Sequence, residues 1–592
     1  TDLTSATNAV KVSNVLVTAA MVGAPDASER QNIIEFARGK DVTDENDNGN
    51  NTEDRKAMGD PMHARPAIVI YGGTQDAPIG TVFTPTNDGY LHAFDMTTGD
   101  ELWAFIPKDF LLRQGDLYDN PPMTARDYAL DGDVRVFKYD VDEDGVVEPA
   151  DGDKVYIIFG TGRGGSIYYA LDVTSRESPS LRWRKSSADV GTDVPKLGKT
   201  WSPPVITKMD IAGSGQSTNK YVLVLGGGYD TSQENYTYTT DGTGNAIYIL
   251  DLETGRALWS ASSAGATFNN TSMTHSIPSA VSVIDIDQDR FADRMYASDM
   301  GGRIWRFDIT NGNTAANLAT GGVLASLGGA QEGTHTLANT RRFYNSPDIA
   351  PFAQRGARPF INIAIGSGYR GHPLEGQTQD RFYSIRDYNP YVKRTNASYT
   401  ATGALIIDTD LVDLTDSLTT PVPDGSKGWK IEFRNPAWHG EKVLAESTTA
   451  QGVVFFTTFT PLDPDSSQPC LARTLNKIYA MYATNGKPFA NWTDSTTRTL
   501  TIADRSLTLA TGGIAPGLNI FADPIGSVTP DGGSSSSSSS TSSSTSSSSS
   551  SGGGGDDDDT DTDTDANCQV GVKMLNRCVR FGDVNRSFWE HK

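Results

Sequence analysis

The sequence predicts an all-β fold, a modified and distorted β-propeller of six or seven blades, and three observations predict it. An apolar strand, a Gly-rich turn and a second strand ending in aromatic-x-Asp recur along the chain, several copies continuing into Thr-Gly and Trp. Glycine counts 59 in 592 residues, which sets turns between short segments, while 22 Tyr, 22 Phe and 9 Trp supply a large core. One blade cannot bury both faces of its sheet, whereas a ring of blades stacks each sheet on its neighbours.

Taken in order, the first copy is GTVFTPTNDGYLHAFDMTTGDELWAFIP from Gly80, and the second is KVYIIFGTGRGGSIYYALDVTSRESPSLRWRKS from Lys154. The third joins YVLVLGGGYD at Tyr221 to NAIYILDLETGRALWS, and the fourth is DRMYASDMGGRIWRFDITNGN from Asp293. The fifth holds PFINIAIGSGYRG and RFYSIRD; the sixth pairs GVVFFTTFTP with NKIYAMYATNGKPF. Trp103, Trp183 and Trp259 are expected to pack between blades, because large aromatics belong to cores.

The flanks differ in kind. Residues 1–66 form a lead-in with one short helix in SERQNIIEFARG, with Ser28 as N-cap and Ile33, Ile34 and Phe36 on its apolar side. The propeller is assigned to 67–531. A Ser/Gly/Asp-rich stretch at 532–567, closing in DDDDTDTDTD, reads as a flexible linker that cannot bury apolar surface, and 568–592 as a tail segment. The chain opens at Thr1 with no charged-then-apolar leader, which reads as a processed chain or a fragment. Cys470, Cys568 and Cys578 allow three single bridges, of which Cys568 with Cys578 closes the shortest loop.

A formal charge of -23 opposes binding to nucleic acid or anionic lipid and favours divalent cations. No apolar run is long enough to span a bilayer. The question is then where acids are arranged. Calcium takes six to eight oxygens at about 2.3–2.6 Å, and a loop supplies them from alternating positions. DIDQDRFAD places Asp285, Asp287 and Asp289 at positions 1, 3 and 5, the Phe291 carbonyl at 7 and Asp293 at 9, with Arg290 where glycine usually turns the chain. DVDEDGVVEPAD fits the twelve-residue loop more closely: Asp140, Asp142, Asp144, Gly145 at the turn, the Val146 carbonyl, then Glu148 and Asp151. Strand-like flanks make it a structural brace rather than a sensor. A third stretch offers Asp44, Asn46, Asn48 and Glu53, with neutral amides and a displaced closing acid.

Other constellations fail. Gly160-Gly162-Gly165 and Gly366-Gly368-Gly371 match a dinucleotide fingerprint, but no helix opens after either, so both are propeller turns. The seven histidines show no zinc spacing, and no nucleophile elbow occurs.

The element AFDMTTGDELW resembles the repeat of quinoprotein alcohol dehydrogenases, which implies a periplasmic quinoprotein-like oxidoreductase as the alternative function. The absence of adjacent cysteines counts against that cofactor chemistry. A more specific resemblance, from about Glu35 onward, is to the C-terminal region of the PilC/PilY family of type IV pilus tip adhesins. It rests on GDPMHARP, TWSPPVI, LGGGYD, DIDQDRFADRMYASDMGGRIWRFD, IGSGYRGHPL, GEKVLAE and FFTTFTP in that order. The resemblance implies a non-enzymatic, extracellular protein at the pilus tip. It implies minor pilins as partners, contact with host-cell or abiotic surfaces, and a role in extension, retraction and twitching motility. The family's calcium loop carries over to Asp285, Asp287, Asp289 and Asp293. The family's von Willebrand-type adhesive half has no counterpart in this sequence, nor is there an Arg-Gly-Asp triplet.

Overall fold

Among the described residues, six blade sheets, each antiparallel through its main strands, follow one another along the first unit of this computed structural model, each built from one continuous stretch of sequence or nearly so. The structure describes residues 1–520 apart from 56, 123–125, 237–238, 330–335, 354–355, 435–437, 463–473, 493–498 and 510–512. It also describes the backbone of 568–570 and 573–575. It divides into two compact units, 1–515 and 516–592. The Ser/Gly/Asp-rich linker, Cys470 and Cys578, and the side chain of Cys568 lie outside the described residues.

Blade 1 comprises Ala67–Gly73, Pro78–Pro85, Leu91–Asp95 and Glu101–Phe105, hydrogen-bonded in that order. Blade 2 comprises Val134–Tyr139, Lys154–Gly160, Ile167–Asp172 and Ser180–Ser186. Blade 3 runs Val205–Lys208, Tyr221–Gly226, Ala246–Asp251 and Ala257–Ser262, and blade 4 runs Ser282–Ile284, Arg294–Ser298, Arg303–Ile309 and Ala319–Ser326. Blade 5 uses Asp348–Phe352, Phe360–Gly366, Arg381–Tyr388 and Gly428–Glu432. Blade 6 is centred on Val453–Pro461 and Thr474–Tyr482, with Lys442–Val443 and Thr448–Ala450 on one side and Ser506–Leu509 on the other. Short parallel strands extend blades 3, 4 and 5 beyond their fourth strand: Phe268–Asn269, Ile406–Ile407 and Val412–Asp413. In the second unit, Asn519–Ile520, Cys568–Val570 and Lys573–Leu575 make a small antiparallel sheet.

The core lies between blades. Five apolar clusters join blade 1 to 2, 2 to 3, 3 to 4, 4 to 5 and 5 to 6. Fully burying one such side chain is worth about 1.5–3 kcal/mol, so each interface holds its sheets strongly. The tryptophans do what their repeat predicts and add a polar lock. Trp103 Nε1 donates to Arg176 O, Trp183 Nε1 to Leu252 O and Trp429 Nε1 to Ala483 O, at 2.9, 2.9 and 2.7 Å. Each acceptor sits in the turn between the third and fourth strands of the following blade. Trp259 instead packs edge-on against Phe307 of blade 4.

Two expectations for the lead-in need correction or addition. The helix is Ala27–Ala37 and its N-cap is Asp26, not Ser28: the Asp26 carboxylate accepts from Ser28 N and Glu29 N at 2.8 and 2.9 Å. A carboxylate is the stronger acceptor at the positive end of a helix, and it displaces the hydroxyl. Ile33, Ile34 and Phe36 are buried as expected. A second helix, Arg113–Asp119, packs against the lead-in and has no counterpart in the sequence reading.

Candidate metal centre

Both acid turns occupy the same place in their blades. Residues 140–153 link the first and second strands of blade 2, and 285–293 do so in blade 4. Strands alternate in direction, so both turns emerge at one end of the propeller.

In blade 4, carboxylate oxygens of Asp285, Asp287 and Asp289 all lie within 4.8 Å of one another. Two ligands each about 2.4 Å from one ion can be at most about 4.8 Å apart, so this trio meets the spacing a calcium ion requires. The turn is wound by its own acids. Asp285 Oδ1 accepts from Gln288 N and Oδ2 from Arg290 N, both at 2.7 Å, and Asp289 Oδ1 accepts from Phe291 N at 2.8 Å. Gln288 and Arg290 both take left-handed φ, +65° and +75°. Arg290 thus makes the turn that glycine usually makes, at a steric cost. Asp293 lies outside the trio. Its Oδ2 accepts from Ile286 N at 2.9 Å, while Lys393 Nζ stands 4.0 Å from Oδ1. Burial raises the Asp285 carboxyl above the usual carboxylate range, with Asp289 and Asp293 adding to the effect.

Blade 2 repeats the arrangement with Asp140, Asp142 and Asp144, again within 4.8 Å. Asp140 Oδ2 accepts from Gly145 N at 2.9 Å and Asp144 Oδ1 from Val146 N at 2.7 Å. Asp140 Oδ1 is buried with no hydrogen-bond partner, an acceptor that a cation would satisfy. Glu148 and Asp151 lie beyond the trio, Asp151 on a short 3-10 turn, Pro149–Asp151. Asp151 is the main cause of the raised Glu148 carboxyl, followed by burial and by Asp144 and Asp142. Burial and Asp144 likewise raise Asp142.

One residue escaped the sequence reading. Asp153, just past the twelve-residue template, accepts from Val141 N at 2.8 Å and from Glu148 N at 2.9 Å. It therefore ties position 2 of its turn as Asp293 ties Ile286. Those two backbone bonds hold its carboxyl below the usual range. Its position after the template ended hid it.

The third stretch is closed by itself. Asn46 and Asn48 both turn their amide nitrogens to Glu53 Oε1, and Asp44 accepts from Asn48 N and Gly49 N. The Asn46 and Asn48 amides converge on Glu53, so neutral donors already occupy its carboxylate, while Asp44 meets backbone N–H groups of the turn.

The fold has counterparts among known proteins. The family model of the PilY1 β-propeller domain matches residues 56–321. A type IV pilus biogenesis factor PilY1 homolog of Xylella fastidiosa is 23% identical over 432 residues, covering 72% of this chain and 31% of that protein. The type IV pilus biogenesis factor PilY1 of Pseudomonas aeruginosa is 30% identical over 282 residues, covering 43% of this chain and 21% of that protein. The matched region is thus under a third of either relative's length. The crystal structure of the Pseudomonas aeruginosa PilY1 C-terminal domain superposes with a TM-score of 0.50 at 19% identity, covering 75% of this chain and 89% of that one, a likeness of fold. These relatives carry the names of pilus biogenesis factors rather than enzymes. Residues 56–321 of this chain are thus similar to the PilY1 β-propeller domain, and the chain has a β-propeller fold.

Proposed function

We propose that this chain is the calcium-binding propeller of an extracellular type IV pilus tip protein, an adhesin and assembly factor without catalytic activity. The observation that carries the reading is the pair of carboxylate trios at matching turns of blades 2 and 4, one with the orphaned Asp140 Oδ1. Asp285, Asp287, Asp289 and Asp293 with the Phe291 carbonyl would hold one ion. Asp140, Asp142, Asp144, Glu148 and Asp151 with the Val146 carbonyl would hold the other. Calcium supplies the positive charge that lets these acids stay ionised side by side.

The blade 4 turn is wired into the fold. Arg294, next to Asp293, reaches Asp308 Oδ1 at 2.6 Å, and Arg306 bridges Asp308 and Asp387 of blade 5 at 2.7 Å each. An ion that fixes the turn therefore also fixes a buried ionic joint between two blades. A propeller braced in this way suits a pilus tip that must bear load during extension and retraction, and so supports surface attachment and twitching motility. Minor pilins are the partners this role requires, with host-cell or abiotic surfaces beyond them.

Calorimetric titration of the full chain with calcium tests the reading. We expect two sites, with Asp285→Ala and Asp140→Ala each removing one. No uptake by the wild type, or uptake unchanged in both variants, ends it.

A further inference from the structure

At the end of the propeller away from the acid turns, the two glycine-rich turns carry an arginine each. Gly160–Gly165 links the second and third strands of blade 2 and holds Arg163; Gly366–Gly371 does the same in blade 5 and holds Arg370. The glycines are there because backbone comes close. A Cβ on Gly164 would strike Ala129 O, and one on Gly368 would strike Val443 O.

The loops leading into blades 3 and 5 bring aromatics to the same end. Trp201 stacks on Tyr229 with ring centroids 4.0 Å apart and planes 4° apart, and Tyr344 lies 5.9 Å from Tyr229. The Arg163 guanidinium sits 5.0 Å over Trp201. Tyr344 OH accepts from Gly371 N at 3.4 Å, which puts Arg370 beside the same aromatic floor. Residues 163, 201, 229, 344 and 370 share no sequence neighbourhood. The topology alone assembles them.

The charge balance here is anomalous. The chain has 73 acids against 50 bases, yet among the described residues neither Arg163 nor Arg370 makes an ion pair. Arg370 instead has Arg163 and Arg65 as like-charged neighbours, with the exposed Glu446 a weaker influence, and among the described residues its side chain donates one long hydrogen bond, 3.4 Å to Leu444 O. Trp201 Nε1 is buried beside them with no hydrogen-bond partner. Half-buried guanidinium groups with unsatisfied donors around them call for an oxyanion. The planar guanidinium forks match a carboxylate, and the flat Trp201 surface next to Arg163 suits the side chains flanking it in a polypeptide.

We propose that Arg163 and Arg370, over the Trp201–Tyr229 floor, form a docking site for a carboxylate-bearing, acidic segment of a partner polypeptide. This site is independent of calcium and lies at the opposite end of the ring.

Fluorescence anisotropy of a labelled hexaglutamate peptide with the full chain in calcium-free buffer tests it, with hexaglutamine as the neutral control. We expect hexaglutamate alone to bind, more weakly as salt rises, and Arg163→Gln and Arg370→Gln each to lower affinity at least about tenfold. Arg163→Lys should recover part of the loss, and Arg358→Gln, an exposed arginine elsewhere, should change nothing. Melting curves matching wild type show that the glutamine variants fold; if they do not, the lysine variant carries the comparison. Equal binding of both peptides, or binding indifferent to both arginines, overturns the proposal. So does displacement by inorganic phosphate at matched charge concentration, which would make the site a general anion site.

Discussion

Three consecutive blades make the turn between first and second strand in two ways, and the difference bears on where the proposed calcium ions would sit. In blade 3 the turn holds Asp210, and Lys220 from the same turn closes on it at 2.7 Å. The chain supplies its own cation. In blades 2 and 4 the same position holds three gathered aspartates, while the nearest lysines stand off: Lys138 is 3.9 Å from Asp140 and Lys393 is 4.0 Å from Asp293. One ammonium offsets one carboxylate, not three, and the remaining repulsion is what the proposed calcium would offset. The two acid turns then differ from each other in how they are closed. Blade 4 uses Asp293 at the ninth position and bends through Arg290. Blade 2 bends through Gly145 and is tied from beyond its template by Asp153.

The largest expected effect separates ligands from ties. Both oxygens of Asp153 are spent on backbone N–H groups, so it positions the turn rather than facing an ion. Losing a group that orients metal ligands typically costs about 10- to 100-fold in metal affinity. Asp153→Ala should therefore weaken calcium at the blade 2 turn by that factor and leave the blade 4 turn untouched, as resolved by two-site calorimetry. An unchanged first site would reduce Asp153 to a local structural acid.

The next effect is on pH. A carboxyl raised in the fold holds its proton more tightly when folded, so it contributes stability below the ordinary carboxylate pKa that is lost as pH rises through its folded value. Asp285, Asp142 and Glu148 are of this kind. Asp153 is the reverse: its lowered pKa stabilises above the ordinary value, and that contribution is lost as pH falls through the folded one. Calcium needs the raised groups ionised. The rise in Tm on adding calcium should be full at about pH 7 and shrink steadily as pH falls toward about 4, the ordinary carboxylate range. A calcium increment constant across that window would mean these acids do not meet the ion.

Much of this was readable from the residues, for reasons that also mark what was not. The second to fourth strands of each blade are apolar and aromatic, and their repeat exposes the fold and the inter-blade tryptophans. First strands such as Val205–Lys208 and Ser282–Ile284 are short and half-exposed, and carry no such signal. The aspartate trios were visible because their ligands alternate within five residues. Asp153 was hidden because its role is defined by the backbone it grips. Ser28 was misassigned because two cap residues competed two positions apart, and only the fold shows which one reaches the helix. The arginine end could not be read at all: Arg163 and Arg370 are 207 residues apart and meet only through the ring.

The smallest effect tests whether Arg290 is a compromise. At φ +75° its side chain carries a left-handed penalty of about 1–2 kcal/mol that glycine escapes. Glycine gives back about 0.5–1 kcal/mol through the freer unfolded chain. Arg290→Gly should therefore stabilise the calcium-free protein by about 0.5–1 kcal/mol, the difference between those terms. Gly145→Ala, at φ +88°, should destabilise the blade 2 turn by a similar amount. Chemical denaturation in calcium-free buffer measures both. If Arg290→Gly destabilises instead, the arginine side chain is itself holding the turn, and blade 4, like blade 3, carries part of its cation within the chain.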